Sequence, residues 1–183
     1  MQPAAAPPEL VVRSDLAALH RRFRTVLILH GVLTLALLAA VVLLVLTSEQ
    51  ALRSFVVVFL LLLASQIFQI AFQCYHWGGR LAISRPLTID GWGMELQSQQ
   101  GTVRLPWEAV VEVRRKVQLG QPLLRFVLHP QAMPGQVGVE ADPASWAGYQ
   151  KRGLLLGGTG LLPGVETILP AIQHYSQGRT RIA

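Results

Sequence analysis

Three glutamines and one histidine lie within two long, mainly apolar stretches, and they are the first candidates for chemistry. Gln66, Gln69 and Gln73 are spaced i, i+3 and i+7, so on a helix they share one narrow stripe. His30 lies at about the depth of Gln69 if the two stretches are antiparallel helices. Two interpretations follow: hydrogen bonds between the helices, or a proton relay or polar pathway through His30. We favour the hydrogen bonds, because neither stretch contains a carboxylate to continue a relay.

The sequence contains none of the short motifs that mark common enzyme classes. HExxH, GxSxG and GxxxxGK[ST] are missing, and the single cysteine, Cys74, excludes a paired-cysteine metal site. The five histidines show no ligand spacing, and the glycine-rich stretch 157–160 lacks the Lys-Ser/Thr pair of a phosphate loop. We therefore predict a non-enzymatic protein with no cofactor and no metal. A small membrane enzyme with a site in residues 129–152 is the alternative.

Two long apolar runs must position the polar stripe. They cover residues 25–47 and 55–75, and neither contains Asp, Glu, Lys or Arg. About 20 apolar residues, at a rise of ~1.5 Å each, cross a hydrocarbon core ~30 Å thick, so each run can span a bilayer. The remaining residues are too few and too polar to cover such a hairpin in a soluble protein. The sequence therefore predicts a transmembrane hairpin over residues 25–77, with the stripe facing protein because lipid would leave its amides unpaired.

Basic residues indicate the orientation of this hairpin. Arginines stand before the first run and after the second, whereas the connecting loop holds a single arginine beside a glutamate. Since Lys and Arg concentrate on the cytoplasmic side of membrane spans, we expect both termini in the cytoplasm. The expected contacts with the membrane surface on that side are Arg21, Arg22, Arg24, Trp77 and Arg80.

Residues 1–24 are predicted to be a cytoplasmic N-terminal segment. They begin with a Pro/Ala-rich stretch, and Ser14 or Asp15 is expected to cap a short helix that carries Leu16, Leu19 and Phe23 on one face. A signal peptide is the rival interpretation. The apolar run that follows is too long for one and no A-x-A cleavage site ends it, so we predict a retained span.

Beyond Gly78-Gly79 the pattern changes from helical to alternating. Turn residues separate six candidate strands, which read LAIS, LTI, GMELQSQ, TVRL, VEVRRKVQ and PLLRFVL. In the fifth, Val111, Val113 and Val117 are expected to face one way, and Glu112 to face the other with its charged neighbours. These features predict an antiparallel sheet or small barrel.

The last third of the chain predicts a loop and a closing helix. Residues 129–152 are rich in Pro and Gly, so we expect a long surface loop with a short helix at PASWAGYQKR. GLLLGG follows as the last predicted strand. Residues 163–178 then have the signals of a terminal amphipathic helix, whose apolar face is Val165, Ile168, Leu169, Ile172 and Tyr175.

Trp107 stands where the chain enters the alternating strand of Val111 and Val113, directly after Pro106. A Trp at such a corner can bury ~150–250 Å² and needs a hydrogen-bond partner for its indole N–H. We predict that Trp107 belongs to the core of the strand domain. An exposed Trp that stacks on a ligand is the alternative.

The strand region resembles a known family. The stretch Gly91-Trp92-Gly93-Met94-Glu95-Leu96 and the tag Pro106-Trp107-Glu108-Ala109-Val110, ahead of a Val/charge alternation, are similar to those of bacterial PH-like membrane proteins of the YcxB-like type. The resemblance covers residues 81–128. It implies a bacterial inner-membrane protein with a cytoplasmic PH-like barrel over residues 78–183, acting as a binding or scaffolding module. The expected fold class is membrane α+β: a two-helix transmembrane hairpin, then a small antiparallel PH-like β-barrel with a C-terminal helix.

Charge indicates the partners. Residues 76–183 carry eleven Lys and Arg against seven acids. Each basic residue near an anionic leaflet gains ~1 kcal/mol, so the lipid bilayer and its anionic headgroups are the expected partners. Nucleic acid is not expected, because aromatic and basic residues are not interleaved on a strand face. A membrane-protein partner or a homo-oligomer is also expected, and the alternative function is a channel or transporter subunit that uses the polar stripe.

Overall fold

The computed structural model describes residues 9–47, 53–118 and 120–183. It divides into a helical unit, Ala17–Leu81, and a strand unit formed by the chain before and after it. In chain order the elements are β1 (Leu10–Ser14), α1 (Leu16–Thr47), α2 (Arg53–Leu81), β2 (Leu87–Ile89), β3 (Gly93–Ser98), β4 (Gly101–Pro106), a 3₁₀ turn (Trp107–Ala109), β5 (Val110–Gln118), β6 (Gln121–Leu128), α3 (Pro143–Arg152), β7 (Leu154–Gly157), β8 (Leu161–Leu162), α4 (Val165–Tyr175) and β9 (Arg181–Ile182).

The helical unit consists of α1 and α2, each long and apolar enough to cross a membrane. The predicted short N-terminal helix and the first apolar run form one continuous helix, which begins at Leu16. Among the described side chains of both helices, Leu19 and Val41 alone are buried. Half-buried positions on α2 recur at intervals of three and four, the spacing of two helices packed along one seam. These positions are Val56, Phe59, Leu63, Gln66, Ile70, Gln73 and Trp77.

The helical unit is an insertion between two paired strands. β1 precedes it and β2 follows it, and they pair antiparallel with Val12 opposite Leu87. At the base of the insertion Ser14 donates its backbone N–H to the Ser84 carbonyl (3.0 Å) and its hydroxyl to the Ile83 carbonyl (2.6 Å).

This arrangement differs from the sequence-based assignment at two places. Residues 1–8 of the N-terminal segment predicted over residues 1–24 lie outside the described residues; the remainder is divided between β1, where Val12 is buried beside β2, and the start of α1. The strand predicted at LAIS is wrong, since α2 continues to Leu81. Two glycines cost a helix only ~1 kcal/mol each, which the long flanking helix tolerates.

The strands form two sheets. The first has the order β4-β3-β2-β1-β8, and the second has the order β7-β6-β5-β9. All pairings are antiparallel except that of β9, which lies parallel to β5 after α4 brings the chain back. Within the described residues the two sheets do not close on each other, so the closed barrel expected from the resemblance is not observed.

β5 contains a bulge that the alternating pattern did not reveal. Val110 lies opposite Leu128 and Glu112 opposite Val127, which leaves Val111 as the extra residue. As a result Val111 is exposed and Glu112 is only 4% exposed, so the predicted facing of these two residues is wrong. Val113 does point into the core, as predicted.

Both sheets, α3 and α4 surround one hydrophobic core. On α4, Val165, Ile168 and Ile172 are buried, as the sequence predicts for its apolar face. The helix predicted at PASWAGYQKR is α3. Residues 129–142, expected to lie on the surface, also bury Ala132 and Val139, and the Trp146 indole N–H donates to the Ala132 carbonyl (3.1 Å). This loop is therefore part of the core rather than an addition to it.

Candidate interaction surfaces

A hydrogen bond joins Trp107 to the turn at Asp90. Trp107 is 1% exposed, and its indole Nε1–H donates to the Asp90 carbonyl at 3.0 Å. The Asp90 carboxylate oxygen Oδ1 accepts the backbone N–H groups of Trp92 and Gly93, each at 2.8 Å. The buried Trp107 and the carboxylate of Asp90 therefore both stabilise this turn.

The turn presents a second tryptophan, Trp92, at the surface. Trp92 is 42% exposed, and the Arg104 guanidinium carbon lies 4.7 Å from the centroid of its ring, in cation–π range. Gly138 lies directly beside the ring, where a Cβ atom would come within 2.5 Å of Trp92 Cζ2. Arg104 also pairs with Glu140 through two backbone hydrogen bonds of 2.8 and 3.0 Å. The contacts with Arg104 and Gly138 therefore hold the exposed Trp92 ring in one position.

The loop that carries Gly138 displays further apolar side chains. Val137 is 99% exposed and Met133 is 56% exposed. The loop is ordered by Gln136, whose side-chain oxygen accepts the Met133 N–H (3.1 Å) and whose amide nitrogen donates to the Gln131 carbonyl (3.2 Å). We define the Trp92 surface as Trp92, Arg104, Met133 and Val137.

The chemistry of the Trp92 surface suits protein recognition. Trp, Arg and Met are enriched at protein interfaces, and Trp and Arg dominate binding hot spots. From the sequence alone Trp92 stands out only as part of the stretch 91–96 that carries the family resemblance, and its exposure is not predicted. Its position directly after a turn signal was the available clue.

A cluster of charged side chains lies on β5 and β9. Arg114 binds Glu112 through Nε (2.8 Å) and Nη2 (2.6 Å), and Arg181 Nη2 lies 3.0 Å from the other Glu112 oxygen. The hydrogen bond from Arg114, supported by that from Arg181, lowers the pKa of Glu112, although desolvation opposes the shift. Arg114 also lies opposite Arg125 on β6, and the buried Arg125 Nε has no hydrogen-bond partner among the described residues.

In the described part of the helical unit, the side-chain hydrogen bonds of His30 and Thr34 lie within α1. His30 Nδ1 lies 2.9 Å from the Val26 carbonyl, and the Thr34 hydroxyl donates to the His30 carbonyl at 2.8 Å, both within α1. Gln66 and Gln73 are half-buried on the seam of α2, whereas Gln69 is exposed. Gln66 Oε1 is buried without a partner among the described residues. Gln69 therefore lies on the exposed edge of the predicted stripe.

The predicted membrane-surface residues lie on the helices near the base of the insertion. Arg21 and Arg24 are exposed, whereas Arg22, Trp77 and Arg80 are half-buried. The Trp77 ring packs against that of Phe23 with 5.6 Å between centroids.

The loop suggested for an alternative enzyme site uses its histidine structurally. His129 Nδ1 accepts the Gln131 N–H at 3.2 Å. In the described part of the chain, no three His, Cys, Asp or Glu side chains are grouped to hold a metal ion.

Comparison with known proteins identifies no relative: no family model, no curated protein and no solved structure matches this chain.

Proposed function

We propose that this chain is a membrane-anchored, non-enzymatic binding module, in which a PH-like strand domain docks a partner protein through the Trp92 surface. The observation that carries the proposal is the insertion of two long apolar helices between the paired strands β1 and β2. Two largely antiparallel sheets that share one core with an amphipathic C-terminal helix support the PH-like part.

The insertion restricts the topology. Because β1 and β2 pair with each other, both ends of the helical unit belong to the same folded unit. A folded sheet does not cross a bilayer, so we expect the chain to enter the membrane with α1 and to leave it with α2 on the same side. The arginine asymmetry of the flanks favours the cytoplasm as that side, and the family resemblance supports the proposal that the membrane is the bacterial inner membrane.

A labelling experiment tests the anchoring. In a Cys74→Ser background, cysteines are placed singly at Gln50, which lies outside the described residues, and at Gln99 in the strand unit. A membrane-impermeant thiol reagent added to intact cells should label Gln50→Cys and leave Gln99→Cys unlabelled until the cells are lysed. The reverse pattern would refute the orientation, and extraction of the chain by alkaline carbonate would refute the anchoring.

The docking surface is tested with two glycines of one loop. Gly138 and Gly135 both have positive φ, +83° and +85°, so alanine strains the backbone at either position. Only at Gly138 does the added Cβ collide with Trp92; nothing lies within 4 Å at Gly135. Cross-linking in native membranes should capture the same protein with the parent and Gly135→Ala. Capture should be lost with Gly138→Ala and Trp92→Ala, and equal capture by all four chains would refute the surface.

A further inference from the structure

The face of α2 away from its packing seam carries a second regular strip. Its residues recur at intervals of four and three, lie about 110° around the helix from the seam, and are all exposed. They are Val58, Leu62, Ser65, Gln69, Phe72 and His76. This spacing is the one by which two helices pack closely along each other. We call these six residues the outer strip.

Gln69 makes the outer strip unlike a surface that merely meets lipid. Its amide is exposed at the middle of a long apolar helix and makes no hydrogen bond within the described residues. In hydrocarbon such an amide would leave two donors and one acceptor unpaired. Ser65, one turn before it, is small enough to let a second helix approach closely at that level.

We infer that two copies of this chain associate through the outer strips of their α2 helices, with the Gln69 amides hydrogen-bonded to each other. The inference rests on the proposed membrane insertion. A second copy is the occupant that the chemistry selects, because a carboxamide carries both donor and acceptor and so complements itself. All copies insert with the same orientation, so a two-fold axis along the membrane normal brings Gln69 opposite Gln69 and Ser65 opposite Ser65.

Site-directed disulfide formation in membranes tests this arrangement with the full chain. In a Cys74→Ser background, one variant carries Ser65→Cys on the outer strip. The matched control carries Ile67→Cys, which is also exposed but lies on the opposite side of α2. Mild oxidation should link Ser65→Cys chains into dimers and leave Ile67→Cys chains monomeric.

Removal of the amide provides the second measurement. Gln69→Leu keeps the size and the helix but removes the hydrogen bonds, so the dissociation constant of the dimer in detergent micelles should rise about threefold to thirtyfold. Gln73→Leu, on the seam, should leave that constant unchanged. Equal linking at positions 65 and 67, or a dimer insensitive to Gln69→Leu, would overturn the inference.

Alkaline carbonate extraction of the same membranes separates the two possible failures. A chain that stays in the membrane but forms no Ser65→Cys dimer refutes the dimer alone. A chain released by carbonate refutes the membrane anchor and the dimer together.

Discussion

Replacing Trp107 by alanine should remove a large part of the stability of the strand unit. The side chain is 1% exposed, and burial of ~150–250 Å² at ~25 cal/mol per Å² amounts to ~4–6 kcal/mol. Measured Trp→Ala changes in cores cost ~3–5 kcal/mol, and the Asp90 carbonyl would also lose its indole donor. We expect a loss of ~3–5 kcal/mol, at least about a fifth of the ~5–15 kcal/mol typical of a domain.

Trp107→Phe is the matched control, because it keeps most of the buried ring and loses the indole N–H. Its cost should be ~1–2 kcal/mol. The free energy of unfolding is measured by pulse proteolysis in urea on the full-length chain in a mild detergent, with cleavage sites of the strand unit as the readout. Equal midpoints for Trp107→Ala and Trp107→Phe would show that ring size at this corner does not matter, and a loss below ~1 kcal/mol for the alanine variant would remove Trp107 from the core.

Three further predictions concern other parts of the strand unit. Because the pKa of Glu112 is lowered in the fold, its carboxylate stabilises the fold above the ordinary glutamate range, and this contribution is lost as pH falls through the lowered pKa. Thermal melts from pH 7 to pH 3 should therefore show a smaller pH dependence for Glu112→Gln than for the parent. Identical profiles would contradict the assignment. Asp142→Ala should cost ~1 kcal/mol in urea unfolding because Asp142 caps α3 through the Ala144 N–H, whereas Asp142→Asn should be nearly neutral. A chain in which a short Gly-Ser linker replaces residues 17–81 should unfold cooperatively without detergent, since Ser14 N and Ser84 O are 3.0 Å apart and a short linker can join the two strands. The fragment 82–183 lacks the buried Val12, so its free energy of unfolding should be lower by at least ~1.5–3 kcal/mol.

The candidate surfaces show why sequence reasoning reached only part of the site. Trp107 stood out because a Pro-Trp corner before an alternating strand has a local signature. Trp92 did not, because its importance depends on Arg104 of β4 and on Gly138, which lies 46 positions further along the chain. Glu112 was assigned to the exposed side because alternation takes no account of a bulge, and Arg181, which helps to enclose it, arrives only through the last strand.

The sequence by itself determined the features that depend on neighbours within about one helical turn or one strand. These are the two long apolar helical segments, the strands β2 to β6, the helix α3 and the apolar face of α4, because periodicity is a local property of the chain. Tertiary structure alone decided that Leu10–Ser14 is a strand, that the helical unit is inserted in a β-hairpin, and that Gln69 is exposed whereas Gln66 and Gln73 are half-buried. Each of these features depends on contacts with segments that are distant in the sequence. The five residues of β1 form a strand because they pair with β2 and β8, and the seam of α2 exists only because another helix packs against it.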